Sequence, residues 1–175
     1  MTTLREDPLL GVARAILTFL IGLTVLVGAL VAFAVSVVVL NQARVAEEFS
    51  KSAAQPGGEV VGAILVVLIL VIALAGLSFV FLRHLRRIVD TVRQGDPFIP
   101  QNAARLRSMA WLSIAMQAVA ICAGALTMWL EQASKDFEAN FDISIGGILL
   151  PLVLFILARV FRRGAEMREE LEGTV

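Results

Sequence analysis

One cysteine, one histidine, no tyrosine and five prolines occur among 175 residues, and only 17% of the chain is charged. A lone cysteine excludes an intrachain disulfide and a cysteine metal cluster. A lone histidine, His84, excludes a haem held by two histidines of one chain, and an interfacial structural role is expected for it. With the acids confined to connecting segments, no nucleophile–base pair forms, so no enzyme, catalytic residue, cofactor site or metal site is expected. The formal net charge is zero, so nothing global points to direct nucleic-acid binding. Charge is missing altogether from four blocks, residues 15–40, 60–82, 108–130 and 143–158. Ion-coupled pumps usually need ionisable groups inside their spans. Their absence argues against such a pump and leaves a passive or multimeric pore open.

What is abundant is apolar: 58% of residues are hydrophobic, against about 45–50% in ordinary soluble domains. A hydrocarbon core about 30 Å thick needs about 20 apolar residues of helix. The first three blocks, of 26, 23 and 23 residues, meet that length. The fourth holds 16 and reaches it through Val160 and Phe161, with Arg159 snorkelling. The expected fold is therefore all-α, an integral membrane four-helix transmembrane bundle in a single domain, residues 1–175. The spans are about 15–40, 60–82, 108–130 and 143–161. Basic residues are divided unequally. Arg5, Arg14, Arg83, Arg86, Arg87, Arg93, Arg105, Arg107, Arg159, Arg162, Arg163 and Arg168 flank one side; Arg44, Lys51 and Lys135 flank the other. The positive-inside rule then puts both termini, the loop 83–107 and the tail 162–175 in the cytoplasm. Ala32-Phe33-Ala34 matches a signal-peptidase pattern, but the apolar run continues to Leu40, which predicts an uncleaved helix.

Asp7-Pro8 reads as the cap and first residue of a helix, and Gln55-Pro56-Gly57-Gly58 as a turn. Between them Val45 and Phe49 keep helical spacing, so the first helix is expected to overrun its span. The second, starting near Glu59, continues amphipathically with Leu85, Ile88, Val89 and Val92 on one face. Gly95 suits a left-handed residue past a helix end, and Asn102 a cap for the third helix. Trp111 and Trp129 sit about 27 Å apart along that helix, one at each interface. Trp129, Ala133, Phe137 and Phe141 extend it, and the overrunning ends are expected to pack together. Asp142 suits a cap for the fourth helix, which Gly146, Gly147 and Pro151 weaken. Arg162–Glu166 and Arg168–Glu172 have i,i+4 spacing. Cys122 reads as a small core residue, and Gln117 with the hydroxyls of Thr18, Thr24, Ser36, Ser78, Ser113 and Thr127 as bonds between helices, or as the lining of a ligand site. Gly28, Ala32 and Ser36 form a small-residue row, as do Ala120 and Gly124, leaving open a neighbour in the same chain or in an oligomer.

The stretch RQGDPFIPQNAARLR, residues 93–107, resembles the bacterial four-span membrane family known only as domain of unknown function 2975. So do the segment RVFRRG, residues 159–164, and the acidic tail 169–175. The resemblance implies architecture without an established activity. It also implies a partnership with a small helix-turn-helix regulator encoded nearby.

Two readings of the loop stand side by side. Gly95, Pro97, Phe98, Asn102, Arg105 and Arg107 form a docking surface for a cytoplasmic protein regulator, or the same residues make a rigid hairpin. Arg83, Arg86 and Arg87 are expected to touch membrane lipid headgroups, or to serve as a topology signal. The leading expectation is a non-enzymatic regulatory or interaction protein of the bacterial inner membrane. The alternatives are a transport or small-ligand/lipid-binding membrane component, with a cavity near Gln117, and a membrane-integrity protein that acts through lipid contacts alone.

Overall fold

The computed structural model describes residues 8–52, 56–133 and 145–172, and all the regular structure among them is α-helical. The helices are α1 (Pro8–Leu40), α2 (Gln42–Ser52), α3 (Gly57–Arg93), α4 (Pro100–Ala133) and α5 (Ile145–Glu172). Asp7, Gln55, Lys135, Phe137, Phe141, Asp142 and the side chain of Glu172 lie outside the described residues. With them go the expected caps of the first and fourth helices and the further extension of the third.

Three helices, α1, α3 and α4, are long and apolar enough to cross a membrane. Their 33, 37 and 34 residues correspond to about 50, 55 and 51 Å at 1.5 Å per residue, well beyond the hydrocarbon thickness. Helix is the conformation such runs adopt, because in lipid each backbone N–H and C=O must find its partner within the segment. The apolar side chains face outward as well as inward. Phe19 and Phe33 are each 69% exposed, and Leu17 is the one buried residue of α1. This surface suits a hydrocarbon solvent and is costly in water. The fourth apolar block begins at Ile143, ahead of the described residues, and α5 carries the remainder.

The first helix was expected to run unbroken to the turn near Pro56; it divides at Asn41. The Asn41 amide side chain donates to the Val37 carbonyl at 2.9 Å, competing with the backbone N–H that reaches the same oxygen at 3.1 Å. Helical bonding resumes at once, with Val45 N–H on Asn41 O at 3.0 Å. Polar groups in the apolar blocks also depart from expectation. The hydroxyls of Thr18, Ser36, Ser113 and Thr127 donate to carbonyls of their own helices, at Arg14, Ala32, Ala110 and Gly124. A hydroxyl satisfied one turn back requires no partner helix. Cys122, expected in the core, is exposed on α4. α5 runs continuously through Gly146, Gly147 and a buried Pro151.

The chain divides into two compact units. One comprises residues 24–77 and 116–143. Its core joins Val60 and Ala63 of α3 to Leu130 and Ala133 of α4, with Phe49 of α2 packed against them. Within it Gly28 lies against Ala75, close enough that an added Cβ would stand 3.8 Å from the alanine's. Ser50 Oγ accepts the Gly57 N–H at 3.2 Å and ties α2 to the start of α3. The other unit comprises residues 1–23, 78–115 and 144–175. Its core is Ile88 of α3, Leu106, Met109 and Ala110 of α4, and Leu154 and Ala158 of α5. Leu85 and Val92, from the amphipathic face read in the sequence, pack against it.

Candidate functional site

The second unit holds the loop motif, and its construction starts with the end of α3. Gly95 has φ +85°, the left-handed conformation open to glycine. The Asp96 N–H reaches back to the Thr91 carbonyl at 3.2 Å and the Gly95 N–H to Val92 at 3.0 Å. These paired bonds form a Schellman C-cap, which closes α3 as the sequence anticipated.

α4 starts differently from expectation. Pro100 takes the first helical position, where its missing N–H costs nothing. Asn102 sits inside the first turn and does not cap it. It has no exposed surface. Its amide nitrogen donates to Thr91 Oγ1 at 2.7 Å and to the Pro97 carbonyl at 2.9 Å. Its oxygen accepts from Arg105 Nη1 at 2.7 Å. The Thr91 hydroxyl in turn donates a hydrogen bond to the Ile88 carbonyl at 2.7 Å. One buried amide thus holds the end of α3, the loop and the start of α4. Thr91 was missed in the sequence, where it reads as one more residue of an amphipathic helix.

The loop then closes on α5. The Phe98 ring stands 5.2 Å from that of Phe161. It also lies over Gly164, where an added Cβ would come within 2.7 Å of its Cδ1. The two motifs that carry the family resemblance, residues 93–107 and 159–164, are therefore one contact. Asp96 adds an ion pair with Arg168, and no ion pair joins Arg162 to Glu166 among the described residues. Phe98 nonetheless keeps 42% of its surface exposed.

Gly95, Pro97, Phe98, Asn102 and Arg105 are thus brought together. Arg107 is not among them: it lies with Arg159, Arg162 and Arg163 along a groove between α4 and α5. Arg83, Arg86 and Arg87 line a separate open cavity of about 400 Å³ with Ile21, Phe79 and Asp90. There Arg83 stands 5.6 Å over the Phe79 ring, and Asp90 pairs with Arg14 at 3.3 Å. His84 follows the second charge-free block, and its buried Nδ1 has no hydrogen-bond partner. Burial first, then the charges of Arg87, Arg105 and Arg83, push its pKa below the ordinary 6.5. No group of three or more potential metal ligands occurs among the described residues.

These features define an all-α protein with three helices fit to cross a membrane and a clamped polar loop joining two of its helices. The chain belongs to the family described as protein of unknown function (DUF2975), whose model matches residues 41–175. The match begins at Asn41, where α1 gives way to α2, and covers both halves of the loop–α5 contact. No curated protein and no solved structure matches the chain.

Proposed function

We propose that this chain is a non-enzymatic regulatory protein of the bacterial inner membrane. It spans the bilayer four times, with α5 as the fourth span, and holds both termini and the loop in the cytoplasm. It offers the loop around Phe98 and the charged half of α5 to a cytoplasmic protein, a helix-turn-helix regulator. Arg83, Arg86 and Arg87 rest on lipid headgroups. The observation that carries this reading is Phe98. The loop is held by a buried amide, a left-handed glycine and an ion pair, yet it leaves a large aromatic ring 42% exposed. Half-exposed aromatic rings on rigid supports are favoured anchors for protein partners.

Co-purification of the intact, detergent-extracted protein with a regulator encoded beside it tests the reading. Phe98→Ala is expected to lower retention about tenfold or more, as loss of an interface anchor does. A regulator that stays soluble and unaffected by the membrane protein would refute it.

A further inference from the structure

Four arginines converge where α4 and α5 leave their apolar stretches. Arg107 of α4 and Arg159, Arg162 and Arg163 of α5 line an open cavity of about 420 Å³. Phe155 and Ala158 form its apolar wall, and Glu166 is its one carboxylate. An adjoining hollow of about 460 Å³ shares Arg107, Arg162 and Glu166 and adds a second carboxylate, Glu169. All four arginines are exposed.

Four other arginines of this unit are engaged, while Arg86, Arg87 and Arg93 have no ion pair or side-chain hydrogen bond among the described residues. Arg14 pairs with Asp90, Arg168 with Asp96, Arg105 bonds Asn102, and Arg83 covers Phe79. Each of the four in the groove lacks a hydrogen-bond or ion-pair partner among the described residues. Four positive charges against one negative therefore share a concave site. They repel one another unless an anion enters, and guanidinium forks match phosphate oxygens in geometry and charge.

The apolar side selects the kind of phosphate. Phe155 meets the ring of Trp111 edge-on, at 5.6 Å and 85°. Trp111 is 58% exposed, and Leu152 and Ile156 beside Phe155 on α5 are 55% and 56% exposed. The basic cavity therefore opens at the end of an outward-facing apolar strip, and an occupant that uses both is an amphiphile. A free phosphate would use only the arginines. A zwitterionic lipid would bring its own cation against them.

We propose that this groove binds an anionic glycerophospholipid. Arg107, Arg159 and Arg162 hold its phosphate, and an acyl chain lies along Trp111 and Phe155. The site rests on the chain's being in a bilayer and shares the charged half of α5 with the surface offered to a regulator, but it does not depend on that reading: it survives if no regulator is found.

Trp111 provides the test. The intact protein carrying Trp129→Phe is reconstituted in vesicles of phosphatidylcholine mixed with phosphatidylglycerol, one lipid or the other brominated on its acyl chains. Trp111 is expected to be quenched preferentially by brominated phosphatidylglycerol. Arg159→Gln and Arg162→Gln should each lower the preference roughly fivefold, while the corresponding lysine variants keep most of it. Arg107→Gln, on the other helix, gives an independent reading if the α5 changes disturb folding. Arg44→Gln, on α2 and outside both arginine clusters, should leave the preference unchanged. Equal quenching by the two lipids, a preference that survives the groove variants, or its loss in millimolar inorganic phosphate would overturn the proposal.

Discussion

At the scale of single residues, Asn102 is the polar group on which the loop depends. It is wholly buried and bonded to Thr91, Pro97 and Arg105. Asn102→Leu removes these bonds and leaves the Pro97 carbonyl without this donor, a loss of about 1–3 kcal/mol. Denaturation of the detergent-solubilised protein should show it, and a variant as stable as the parent would show the network to be dispensable. His84 supplies a pH dependence. Above about pH 6.5 its imidazole is neutral in folded and unfolded chains alike, and its burial then has no charge cost. As pH falls below that value the unfolded chain takes up a proton that the folded chain resists, so stability is lost on acidification. His84→Gln is expected to flatten the fall in unfolding midpoint between about pH 7.5 and pH 5.5 relative to the parent. Parallel pH profiles would mean that the ring is charged or freely hydrated in the fold.

At the scale of elements, the junction of loop and α5 was legible only in pieces. The glycine at 95 and the apolar face of α3 follow from local rules of helix ending and periodicity, and the structure has them as read. Asn102 was misread because its position near a helix start fits a cap as well as a staple. Only the approach of Thr91 from the preceding helix decides between them. Gly164 had no local reading at all, since a glycine inside a helix is weak evidence of anything until the ring of Phe98 is seen lying on it. Gly164→Ala places a methyl against that ring and should cost more than Gly95→Ala, whose strain at positive φ is about 1 kcal/mol. Paired unfolding measurements check the order. If Gly164→Ala proves neutral or stabilising, the loop slides off α5 without penalty, and the clamp is not a constraint.

At the scale of the whole molecule, the outward-facing apolar surface is the governing fact. Cys122 was expected in the core and lies exposed on α4, among side chains whose natural solvent is hydrocarbon. A spin label on this lone cysteine, in protein reconstituted into bilayers, should collide more with oxygen than with a water-soluble nickel chelate. The reverse ranking would place that face of α4 in water and remove the membrane reading of the helix. Reporter fusions at Gly95 should report the cytoplasm, and an external signal there would invert the proposed topology.

Helical character, and the presence of apolar runs long enough to cross a bilayer, were determined by the sequence alone. In lipid each backbone group must be satisfied within its own segment, and that requirement is local. Which small or polar side chains face protein and which face outward was decided only in the tertiary structure. Apolar blocks are uniform around the helix, so no periodicity marks the buried side, and a cysteine or hydroxyl is placed by the neighbour it meets. The pairing of residues 93–107 with 159–164 belongs to the same category. It joins segments more than fifty residues apart, and only the packing of α3, α4 and α5 brings Phe98 onto Gly164 and leaves four arginines facing one groove.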